Sequence, residues 1–85
     1  MLKADGFDDA VIGTTMLWGK EGRVHGRALI EVLVYSAEAC INILIERDGM
    51  DYEEAVEFFE FNVTGSYMGK QTPVFVWTDT EDLDL

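Results

Sequence analysis

The chain has 85 residues, 48 % of them hydrophobic and 12 % aromatic, with 17 acidic against 6 basic side chains for a net charge of −11. That apolar content excludes an acidic disordered chain and predicts one small packed domain over residues 1–85. The anionic balance disfavours direct binding to a phosphate backbone, and no apolar run approaches the roughly 20 residues that span a bilayer.

The charge is unevenly spread. Residues 1–9 carry −2, residues 10–35 carry +1, residues 36–70 carry −6 and residues 71–85 carry −4. Such a surface serves solubility, or it recognises a basic surface on a partner. Cys40 is the sole cysteine, so no internal disulfide and no multi-cysteine metal site is expected. A reducing, cytoplasmic setting fits this usage.

In chain order, "DGFDD" offers Asp5, Asp8 and Asp9 but lacks the ligand spacing of a calcium loop. "AVIGTTMLW", Ala10 to Trp18, is rich in β-formers and predicts a strand. "GKEGRVHG", Gly19 to Gly26, reads as a hairpin loop holding Lys20, Arg23 and the only histidine, His25. It lacks the lysine–hydroxyl ending of a phosphate-cradling loop. His25 has no readable catalytic partner, so it is taken as an exposed loop residue. The apolar run Ala28 to Tyr35 predicts a second strand, antiparallel to the first.

At Ser36 the period changes. Ser36 suits an N-cap, Glu38 falls in the first turn, and Gly49 can close the helix. Ala37, Cys40, Ile41, Leu44 and Ile45 recur at helical spacing. On that stripe Cys40 reads as a small core residue rather than a nucleophile.

The second helix starts at Asp51, which with Glu54 has the spacing of a capping box. The pattern carries it through Tyr67 to a stop at Gly69. At about 100° per residue, Tyr52, Ala55, Val56, Phe59 and Val63 form the expected core stripe. Glu53, Glu57, Glu60 and Thr64 form a second stripe, Phe58, Phe61 and Gly65 a third, and Glu54 lies between these two. Two phenylalanines opposite a core face need a cover, because an ordinary surface helix is polar there. The chain's own termini or Trp77 could cover them, or a partner could. "TPVFVWT" predicts a third strand with Pro73 at its start, and "DTEDLDL" a frayed acidic tail over residues 79–85.

The expected fold is therefore α+β, in the order β-β-α-α-β: a small, mostly antiparallel sheet with two helices packed on one face. No catalytic, cofactor or metal residues are expected. A carboxylate pair needs perturbed pKa values or a bound ion to do acid–base work, and helical glutamate stripes are common on wet faces. The expected partner-binding set is Glu54, Glu57, Phe58, Glu60 and Phe61.

The segments "GFDDAVIG", and "DGMDYEEA", "EFFEFNVTG" and "TPVF" within Tyr35 to Val76, resemble a group of small acidic proteins encoded by bacteriophages and prophages. The resemblance brings no catalytic residues to this chain. It implies a small phage-borne protein in the host cytoplasm. Together with the charge, it leads to the expectation of a non-enzymatic accessory protein that binds a host protein. Inhibition of a nucleic-acid-binding or defence protein through the acidic surface would be its effect. The alternative is a homo-oligomeric structural module that buries Phe58 and Phe61 between copies.

Overall fold

The computed structural model describes residues 2–20, 27–66 and 72–78. Strand β1 (Val11–Lys20) pairs antiparallel with β2 (Arg27–Ser36), and β3 (Val74–Val76) lies parallel to β2 on its other side. Helices α1 (Ala37–Asp48) and α2 (Tyr52–Phe58) separate β2 from β3. The fold is the small α+β arrangement the sequence leads one to expect. The hairpin strands run longer than their apolar runs, and the third strand is shorter. Of the loop expected over Gly19 to Gly26, Gly19 and Lys20 belong to β1, and residues 21–26, including Arg23 and His25, lie outside the described residues, as do residues 79–85 of the expected tail.

Pleating decides which residues meet the helices. Tyr35 sits between Val11 on β1 and Phe75 on β3, so these three share one face of the sheet. Leu33 continues that face along β2. Cys40, Ile41 and Leu44 of α1 and Ala55 of α2, with Phe59 and Val63 beyond it, pack there into one core. Ile30 and Val32 alternate with these residues and are buried on the opposite face. The ring of Phe75 joins the layers: its centroid is 5.3 Å from Tyr35 and 5.4 Å from Phe59, the latter edge-on.

Both helix starts use side-chain caps. Ser36 Oγ accepts from the Ala39 N–H at 3.1 Å, and Asp51 Oδ1 accepts from the Glu54 N–H at 2.8 Å. Glu54 makes no return bond to Asp51 among the described residues, so only half of the expected capping box forms. Gly49 ends α1 with a φ of 72°, a left-handed conformation that favours glycine, and its N–H donates to the Ile45 carbonyl. Replacing Asp51 with alanine orphans one amide at the start of α2. The expected loss is about 1 kcal/mol in a urea unfolding titration; an unchanged midpoint would show that the cap contributes nothing.

The second helix departs from its expected path. It is α-helical only to Phe58, then turns through a π segment (Phe59–Val63) and a 3-10 turn (Thr64–Ser66). Thr64 explains the change: its hydroxyl donates to the Glu60 carbonyl at 2.8 Å, while its N–H reaches back to the Phe59 carbonyl. That side-chain bond occupies the acceptor an α-turn would use, and the backbone opens to the wider spacing. The expected continuation over Tyr67–Gly69 lies outside the described residues.

Tyr52 is also corrected. It was expected in the core stripe but is 63 % exposed. Helical side chains lean toward the N-terminus, and the first residue has no preceding turn to lie against.

The N-terminal segment joins the core, which the sequence did not suggest. Ala4, Phe7 and Ala10 are buried, and the Ala4 N–H donates to the Tyr35 hydroxyl at 2.8 Å. From outside, Arg47 of α1 donates to the Gly6 carbonyl at 2.7 Å, with its guanidinium carbon 5.5 Å from the Phe7 ring centroid. Arg47 also pairs with Asp48, and this charge-assisted bond holds the Asp48 carboxyl below its ordinary pKa.

Candidate functional site

The outer face of α2 and its π extension follows from what the core demands. Ala55, Phe59 and Val63 are claimed by the interior, which turns Phe58 and Phe61 away from it. Phe61 is 72 % exposed and Phe58 37 % exposed. Trp77 does not cover them. It packs edge-on against Phe59, with centroids 6.2 Å apart, while the backbone N–H of the next residue, Thr78, donates to the Glu38 carboxylate.

Two shallow grooves flank the Phe61 ring. One is lined by Asp51, Glu53, Glu54, Glu57, Phe58, Phe61 and Asn62. The other is lined by Tyr52, Glu53, Val56, Glu57, Glu60 and Phe61. The five residues expected from sequence are thus brought onto one surface, with Glu57 and Phe61 shared between the grooves. Asp51, Tyr52, Glu53, Val56 and Asn62 line it as well and were not in that set, Glu53 in both grooves. A first-turn position for Tyr52 was the available signal; Asn62 had none beyond its place beside Phe61.

Glu53, Glu54, Glu57 and Glu60 are exposed, and none forms an ion pair among the described residues. The face is an apolar ridge in an anionic field that no ion pair offsets among the described residues. Such a field attracts cationic surfaces over about a Debye length, ~8 Å at physiological salt. Chemistry on a substrate would need more. Among the described residues no cluster of three or more His, Cys, Asp or Glu could hold a metal ion.

Two other places hold groups capable of chemistry. A further concavity, lined by Gly6, Asp8, Asp9, Ile43, Glu46 and Arg47, contains the Arg47 tether that fastens the N-terminal segment to α1. Cys40 is fully buried, and burial pushes its thiol up to about 11. Burial disfavours the charged thiolate and shuts out a reaction partner, as in a core residue. Labelling with a water-soluble disulfide reagent at pH 8 is expected to be slow on the folded protein and fast in denaturant. Rapid labelling of the native state would overturn the core assignment.

Comparison of the chain with protein-family models and curated proteins, and of its fold with solved structures, finds no match. No helix among the described residues is long and apolar enough to cross a membrane.

Proposed function

We propose that this chain is a non-enzymatic phage accessory protein that binds a host protein through the outer face of α2. The observation that carries the reading is Phe61, a large aromatic ring left 72 % exposed between acidic grooves. Exposed aromatic residues rimmed by charge are typical anchors of protein contacts. Phe58 and Phe61 supply the apolar centre, and Glu54, Glu57 and Glu60 form the rim that selects a basic partner.

The partner's basic patch is that of a nucleic-acid-binding or defence protein, on which the glutamates take the place of phosphates. The resemblance to phage-borne proteins supplies the setting, the host cytoplasm. Self-association through the same face is the weaker reading. A twofold contact would set Glu54, Glu57 and Glu60 against their own copies, and like charges across an interface repel.

The test is the salt dependence of capture from a lysate of the bacterial host. Binding is expected to weaken as salt rises, because the acidic rim steers a basic partner. A complex equally strong at low and high salt would contradict the acidic-rim assignment.

A further inference from the structure

Strand β1 is the edge of the sheet, so the backbone groups on its outer side have no strand beside them among the described residues. Natural edge strands are guarded by charges, prolines or bulges. Among the described residues the guards stand at the two ends: Ile12 is an extra, unpaired residue between Val11 and Gly13, and Lys20 closes the strand, while from Gly13 to Lys20 the register with β2 is unbroken. Ala10 to Gly19 holds no charged residue and no proline, and this run of 10 is the longest uncharged stretch in a chain of net charge −11. Met16 and Leu17, on opposite faces of the strand, are 49 % and 43 % exposed.

We infer that a second copy of this chain pairs with β1 antiparallel along this edge, about a twofold axis near Met16, fusing two three-stranded sheets into one of six. Three considerations select this occupant. An exposed edge is completed by another strand, whose backbone supplies the missing donors and acceptors. A twofold contact sets one patch of the surface against the same patch of the other copy, so in a strongly anionic protein it is least opposed where charge is absent. The nearest acid, Glu31, lies opposite Met16 on β2. In the paired sheet its copy is three strand spacings away, about 14 Å, beyond the ~8 Å Debye length. With Met16 at the axis, Leu17 of one copy meets Thr15 of the other, and among the described residues no acidic side chain enters the contact. The surface is separate from the α2 face, so both can be occupied together.

Sedimentation velocity over a concentration series tests this. The wild type is expected to associate into a dimer, and Met16→Lys to remain monomeric, since it sets two like charges face to face at the axis. Within one copy the introduced lysine is opposite Glu31, so the hairpin keeps a favourable cross-strand pair and the unfolding midpoint should hold. Phe61→Glu should leave the dimer intact. If Met16→Lys fails to fold, Met16→Cys serves instead: Cys40 is buried, so mild oxidation should give a disulfide-linked dimer, while Glu46→Cys should not. A wild type that stays monomeric at its highest soluble concentration overturns the inference. So does a folded Met16→Lys variant that dimerises, a dimer dissolved by Phe61→Glu, or no cross-link at Met16.

Discussion

Phe59→Ala is expected to lower the free energy of unfolding by about 3–5 kcal/mol, while Phe61→Ala, two residues on, changes it by less than about 0.5 kcal/mol. Phe59 is 2 % exposed and fills the space between Phe75, Trp77 and the small side chains of the core. Removing its ring forfeits the burial of a large apolar surface and leaves a cavity that β3 and α1 close only in part. A domain of this length has a stability of roughly 4–13 kcal/mol, so the loss takes a large share of the total. Phe61 has little folded-state contact to lose. Urea unfolding of the two variants separates the faces of one helical segment. Equal losses would mean that the outer face is structural.

The second large effect is expected in binding. Phe61→Glu should weaken association with a host partner about 30-fold or more, the roughly 2 kcal/mol that defines a hot spot. Fully burying a phenylalanine side chain gains about 1.5–3 kcal/mol, and most of the Phe61 ring is still exposed in the free protein. A glutamate there adds to the charge already supplied by Glu57 and Glu60 and removes the apolar anchor. The two terms can therefore be told apart. If charge alone governed binding, Phe61→Glu would bind as well as the wild type, and Glu57→Gln with Glu60→Gln would abolish it.

Much of this architecture is legible from local signals. Ser36, Gly49 and Asp51 act on amides and carbonyls within four residues of themselves, and each is found at the helix end its chemistry predicts. The alternation of Tyr35 and Leu33 with Val32 likewise fixes the faces of β2. What escapes the sequence depends on distant partners. Ala4, Phe7 and Ala10 look unremarkable until the Tyr35 hydroxyl and Arg47, 31 and 41 residues away from their hydrogen-bond partners, tie the segment down. The brevity of β3 and its parallel pairing depend on where α2 delivers the chain. The π segment turns on one hydroxyl, that of Thr64, competing for one carbonyl.

The candidate surface was legible in the same measure. A rotation of about 100° per residue is enough to separate Phe58 and Phe61 from Phe59 and Val63. It does not foresee that Tyr52 swings outward to join them, or that Trp77 is drawn to Phe59 instead of covering Phe61. The glutamates are accounted for differently one by one. Glu54 donates its amide to the Asp51 cap while its carboxylate stays on the rim, and Glu57 stands between the two grooves.

The central claim is that the outer face of α2 is spare in folding and spent in binding. Affinity capture from host lysate with wild type, Phe61→Glu and the α1 surface variant Glu46→Gln tests it most directly, with urea unfolding of all three in parallel. A partner is expected to be retained by wild type and Glu46→Gln and lost with Phe61→Glu, at equal stability. A partner held equally by all three proteins, or no partner held by the wild type, would contradict it.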